Sequence, residues 1–236
     1  EQYVYQPKAD DLRFHLARAR LREQGFKDPD KAVAHFRANL AASRYRNGPA
    51  EHYGLALALL RAGRPQEARQ ALGDLVKEQP HLAEFIVLDA RIDGQLGNRE
   101  EAIRKLQAAV GLNPDNQPLR SAYAEALIAA GKPDRALATL EGAVRLKPGS
   151  AALYQLMSDA ALKSGRKAAT HRYRGESLYL KGDLEPAIHQ LEYALRTPGL
   201  GFHEAAEIQA RLETLREEQK EAEKQKDKSR PAKDKG

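Results

Sequence analysis

The chain has 236 residues, enough for one or two ordinary domains or one elongated repeat array. It is 42% hydrophobic but only 6% aromatic, so Ala and Leu must build its core, which suits closely stacked helices; with no Cys, disulfides and thiolate metal sites are excluded. Of the net charge of +6, half lies from Lys220 onward, where seven Lys/Arg face four Asp/Glu, leaving a mixed, solvated body rather than a nucleic-acid footprint. No apolar run approaches the roughly 18 residues of a membrane span. The chain opens at Glu1 without Met or a signal peptide, as expected of a fragment or a processed product.

Residues 1–9 read as an extended leader containing Pro7. A first helix is expected over residues 10–24, with Leu12, Leu16, Ala19 and Leu21 near one face and Gly25 as its stop. Asp28 and Pro29 supply an N-cap and a first-turn proline for a second helix running to about Arg44, striped by Ala32, Phe36 and Leu40. Three regular units follow, residues 49–82, 83–116 and 117–150. Pro80, Pro114 and Pro148 stand 34 residues apart, as do Gly63, Gly97, Gly131 and Gly165, Ala68, Ala102 and Ala136, and Leu72, Leu106 and Leu140. A fixed step of 34 is the mark of the tetratricopeptide repeat, a helix–turn–helix unit. In each unit glycine ends the first helix, a small Ala lets the second approach it, and proline bars further extension. The expected fold is therefore all-α, a right-handed tetratricopeptide-repeat solenoid of antiparallel helix pairs.

After Ser150 the spacing breaks. A helix over residues 151–164 should pair with one over 171–181, which also reads as the first helix of a new unit ending at Gly182. The units are thus expected at about 10–46, 49–82, 83–116, 117–150, 151–181 and 170–199, with a closing helix over 202–218. Residues 219–236 are rich in Lys, Glu and Asp and lack an apolar stripe, so disorder is expected there.

Catalytic patterns are scarce. His203-Glu204-Ala205-Ala206-Glu207 nearly matches the HExxH zinc motif, but the second histidine needed to grip the metal is Glu207. Gly-rich phosphate loops, a GxSxG elbow and a Cys nucleophile are missing, so no catalytic residue, metal site or cofactor is expected in this chain. Two basic clusters, Arg44, Arg46 and Arg61, and Arg166, Lys167, Arg172 and Arg174, read as solvated helix faces. No ladder of Arg, Asn and aromatics recurs as an RNA-binding repeat would need. What remains is the groove lined by the first helix of each pair. Its inward slots are His15, Arg22, Tyr53, Arg61, Arg91, Gln95, Glu125, Gln155, Asp159, Arg172 and Glu176, basic in the early repeats and acidic in the later ones. A protein or peptide is the expected partner, with no nucleic acid and no membrane insertion.

Both ends carry a more specific likeness. The stretch from Ala9 through Asp11-Leu12-Arg13-Phe14-His15-Leu16 to Leu21 resembles the segment that follows the protease domain in bacterial M48 zinc metalloproteases with C-terminal tetratricopeptide repeats. Arg174-Gly175-Glu176-Ser177-Leu178-Tyr179, Gln190-Leu191-Glu192-Tyr193 and Arg211-Leu212-Glu213-Thr214-Leu215-Arg216 resemble the same family. The resemblance implies a Gram-negative periplasmic setting and a noncatalytic domain. That domain would dock an attached zinc metalloendopeptidase onto outer-membrane protein assembly machinery and its clients, with zinc only in the attached protease. The alternative is a free-standing repeat adaptor with no protease attached.

Overall fold

In a computed structural model of the chain, residues 12–146 and 149–229 are described; the leader over 1–9, the start of the first helix at 10–11, Pro148 with its preceding residue, and the last seven residues lie outside them. The described residues form twelve α-helices. The chain divides into two compact units between Ala130 and Gly131.

The first unit contains α1 (Leu12–Gln24), α2 (Pro29–Ala41), α3 (Gly48–Arg61), α4 (Pro65–Glu78), α5 (Ala83–Gln95), α6 (Arg99–Leu112) and α7 (Gln117–Ala129). Starts are set by local chemistry. The side chains of Asp28, Asn47 and Asn116 accept hydrogen bonds from Asp30, Ala50 and Leu119 N–H groups, satisfying donors that a helix start leaves unpaired. Stops repeat as well: Gly63, at φ +71°, and Gly97, at φ +88°, sit in the left-handed conformation after α3 and α5. Helix α2 ends at Ala41 rather than near Arg44, because Ser43 takes that left-handed position at φ +51°. Helices α1 and α2 both pack on α3, and α3 through α7 pack in succession. The repeated Ala68 and Ala102 and the repeated Leu72 and Leu106 are buried, so the 34-residue step is the step of the core. Phe36 and Phe85 are the largest fully buried side chains of this unit.

The second unit contains α8 (Pro133–Leu146), α9 (Ala151–Lys163), α10 (Lys167–Tyr179), α11 (Leu184–Leu195) and α12 (Phe202–Ser229). Helix α10 begins at Lys167, four residues before the expected start, and packs on both α9 and α11. Ala136 and Leu140 of α8 are buried like their counterparts in the first unit. Ile208, Leu212 and Leu215 of α12 close over Ala187, Leu191 and Ala194 of α11. The charged stretch after Glu218 departs from the expected disorder, since α12 runs on to Ser229. Its Ala, Glu, Gln and Lys are strong helix formers, Glu217–Lys220 and Glu221–Lys224 fall three residues apart, and no Gly or Pro intervenes before Pro231. Residues 221–225 are exposed, so local propensity rather than packing carries this extension.

Candidate partner-binding surface

The eleven groove residues expected from the repeat slots do not form one exposed lining. His15 is 6% exposed and Tyr53 is 4% exposed. Both lie on faces turned toward neighbouring helices: α1 packs on α3, and the Tyr53 ring lies 5.9 Å from that of Phe85 on α5. Burial pushes the Tyr53 phenol up from its usual range. Tyr53 is thereby withdrawn from the surface, whereas His15, though buried, forms part of the floor of a cleft in the first unit.

Arg61 is structural as well. Its Nε lies 2.5 Å from Glu23 Oε1, and its Nη2 donates to the carbonyls of Glu23 and Phe26, at 3.0 and 2.9 Å. It clasps the α1–α2 turn to the end of α3 and neutralises the buried Glu23, so it does not join Arg44 and Arg46 in a basic cluster. Arg22 is half-buried, pairs with Glu51 at 2.5 Å, and stacks 4.9 Å over the Phe36 ring. Arg91 and Glu125 occupy equivalent slots of successive repeats and bond to each other at 2.9 Å across α5 and α7. Gln95 is exposed at the end of α5.

The remaining four expected residues belong to the second unit. Gln155 donates to Asp159 one turn on, at 3.1 Å. Arg172 pairs with Glu207 at 2.8 Å, and Glu176 receives a two-pronged bond from Arg211, at 2.9 and 3.0 Å. These two ion pairs bridge α10 to α12. They border an open cleft of ≈ 680 Å³ whose other walls include Tyr154, Tyr173 and Glu141. The Tyr154 and Tyr173 rings stack at 6.4 Å, and Tyr173 Oη donates to Glu141 at 2.7 Å. Burial, reinforced by Glu141, pushes the Tyr173 phenol far above its usual range; burial and the nearby Glu176 carboxylate raise Tyr154. Burial opposes the charge on Arg211, yet the bonds to Glu176 outweigh it and hold the guanidinium firmly protonated. The cleft thus offers fixed charges, two un-ionised phenols and an aromatic platform, the chemistry of recognition. Tyr154 and Tyr173 escape a slot-based reading because they stand one position from the slots of Gln155 and Arg172, and Glu141 because it lies on α8, the second helix of its pair; the aromatic residues of α9 and α10 were the available signal.

A second cleft, of ≈ 370 Å³, lies in the first unit between α1 and the α2–α3 turn, lined in part by Arg18, Arg22, Arg44, Tyr45 and Arg46. Among the described residues, no helix is long and apolar enough to cross a membrane, and no group of three or more His, Cys, Asp or Glu is placed to hold a metal ion.

Comparison with known proteins agrees with this architecture. The tetratricopeptide-repeat family matches residues 21–83 and 95–160. A β-barrel assembly-enhancing protease of Yersinia pestis is 28% identical over 210 residues, covering 89% of this chain and 43% of the relative. The protein of the same name from Escherichia coli K12 is 27% identical over 204 residues, covering 86% and 42%. The chain therefore spans less than half the length of these relatives. Among solved structures, a thermophilic TPR protein from Thermus thermophilus superposes with a TM-score of 0.54 at 20% identity, over 86% of this chain and 97% of its own. The chain is an all-α tetratricopeptide-repeat protein, an architecture for binding other proteins.

Proposed function

We propose that this chain is the noncatalytic docking module of a periplasmic M48-type zinc metalloprotease, recruiting it to the machinery that assembles outer-membrane proteins and to that machinery's clients. The observation that carries this reading is the 28% identity to a β-barrel assembly-enhancing protease along 89% of the chain. Zinc and the cleaving residues belong, on this reading, to the attached protease, and this chain contributes partner recognition. The exposed Arg91–Glu125 pair and the polar cleft lined by Tyr154, Arg172 and Glu176 supply candidate contact surfaces on the two units.

The test is in-cell photo-crosslinking in the full-length protein, with the probe at Arg91 or at Gln155 and adducts identified by mass spectrometry. Adducts to outer-membrane barrel proteins or their assembly factors are expected. Adducts confined to the protein's own upstream domain, or none at either position, overturn the docking role. The reading also requires an HExxH-bearing helix encoded upstream of Glu1, which a free-standing adaptor lacks.

A further inference from the structure

We infer that the first-unit cleft between α1 and the α2–α3 turn is a docking site for an acidic peptide segment, studded with apolar residues, of a partner protein. The inference rests on the chain's reading as a protein-docking module and not on the attached protease.

Three arginines carry it. Arg18, on α1, and Arg44 and Arg46, in the turn, are exposed and line the cleft. None has a carboxylate partner among the described residues, whereas three other arginines of this unit are neutralised. Arg22 pairs with Glu51, Arg61 with Glu23 and Arg37 with Glu67, each at 2.5 Å. Glu51, the acid nearest the cleft, is fully engaged, since its second oxygen accepts from Asn39 at 2.8 Å. The free positive charge lining the cleft is therefore three guanidiniums. Each is a planar donor fork that matches a carboxylate.

The turn holds these groups in place. Arg44 N–H donates to Asn39 C=O at 2.8 Å and Ser43 N–H to Leu40 C=O at 3.2 Å, closing the end of α2. Asn47 then caps α3 through the Ala50 N–H at 2.9 Å. The turns after α3 and α5 use glycine at the left-handed position; here it is Ser43 at φ +51°, a conformation of modest cost in a residue with a side chain. The Tyr45 ring lies against the start of α3, where a Cβ on Gly48 would sit 3.3 Å from it. Residues 44–46 are thus presented on a short segment anchored at both ends, which lowers the entropy lost on binding.

Apolar side chains flank the charges. Phe14 is 63% exposed and Leu21 is 69% exposed, and both share the α1 stripe of Arg18 at four- and three-residue spacing. Tyr45 is 41% exposed. Arginine mixed with exposed aromatic and aliphatic groups is the composition of protein-binding hot spots. A phosphate polymer would need the cations to continue in a row, and the surrounding acids end the row. A single small anion would leave Phe14 and Leu21 unused.

The test is fluorescence anisotropy of the 236-residue chain with a fluorescein-labelled twelve-residue peptide of alternating Glu and Leu, at physiological ionic strength. Saturable binding is expected. Arg18→Gln/Arg44→Gln/Arg46→Gln together should weaken it about tenfold, the sum of three exposed charge pairs. Phe14→Ala/Leu21→Ala should weaken it severalfold. Lys163→Gln/Lys167→Gln/Arg174→Gln, at exposed sites of the second unit, should leave it within about twofold, and a Lys-for-Glu peptide should not bind. Circular dichroism checks that each variant keeps the parent's helicity. Equal affinity in the parent and the arginine triple variant overturns the proposal. So does displacement of the peptide by millimolar inorganic phosphate or by phosphatidylglycerol vesicles. If peptide binding fails while crosslinking from Arg91 succeeds, this site is refuted and the docking reading stands.

Discussion

Replacing Gly54 by Ala should destabilise the first unit, although the same change in a generic helix stabilises. Gly54 lies inside α3, where glycine costs about 1 kcal/mol relative to alanine. A Cβ built there would sit 2.3, 2.6 and 2.9 Å from three atoms of the Phe36 ring. Ordinary carbon–carbon contact is about 3.5 Å, so the ring must retreat by roughly 1 Å. Phe36 is fully buried between α2 and α3 and has little room to do so. Overpacking of this kind costs about 1–3 kcal/mol, and the propensity gain offsets about 1, leaving a net loss of up to about 2 kcal/mol, at the high end because three ring atoms clash at once. Gly73, inside α4, meets nothing within 4 Å, so Gly73→Ala should stabilise by about 0.5–1 kcal/mol. Urea unfolding followed by circular dichroism reads both against the parent. Adding Phe36→Leu to Gly54→Ala should recover part of the loss, a coupling that a double-mutant cycle isolates. If Gly54→Ala stabilises as much as Gly73→Ala, the packing of α2 on α3 described here is wrong.

Asp93 is 1% exposed on α5 and binds Arg69 at 2.5 Å and Lys105 at 2.6 Å. Burial works against its ionisation, but hydrogen bonds from Lys105 and Arg69 prevail and hold its pKa below the usual carboxylate range. A lowered folded pKa contributes stability above the unfolded value of about 3.9 and loses it as pH falls through the folded value. Asp93→Asn should therefore lower stability at pH 7 by about 1–2 kcal/mol, toward the low end for charged bonds because Arg69 is 40% and Lys105 32% exposed, and should flatten the acid limb of a urea-midpoint profile. An unchanged acid limb contradicts the assignment. Truncation after Glu218 removes the end of α12, of which residues 220–225 are exposed, while keeping the Tyr179–Glu218 bond at 3.3 Å, so the thermal midpoint should hold and helicity should fall by the residues removed. A lost cooperative transition would show that the extension packs.

The fold was legible because its repeat is written in residues with single backbone meanings. Proline after the second helix, glycine in the left-handed turn and alanine at the tight crossing recur at 34, and Ala68, Ala102, Leu72 and Leu106 are buried accordingly. The surface was less legible because slot position does not determine burial or pairing. His15 and Tyr53 fall in groove slots, yet the direction of their faces against α3 and α5 buries them. Arg61 reads as a free cation, but Glu23, 38 residues earlier, takes it up through the α1–α2 turn. Arg91 and Glu125 look like independent contributors, but a 34-residue step puts them one repeat apart, within reach of each other. At the end of the chain, composition suggested disorder while backbone propensity favoured helix, and propensity prevailed through Ser229.

The most direct test of the docking account is to delete residues 12–229 from the full-length protein and measure two activities separately. One is cleavage of casein, an unfolded general substrate, by the purified protein; the other is association with outer-membrane assembly factors in cells. The account predicts that casein cleavage persists while association with the assembly factors is lost. Loss of casein cleavage with intact association, or no effect on either, would contradict it.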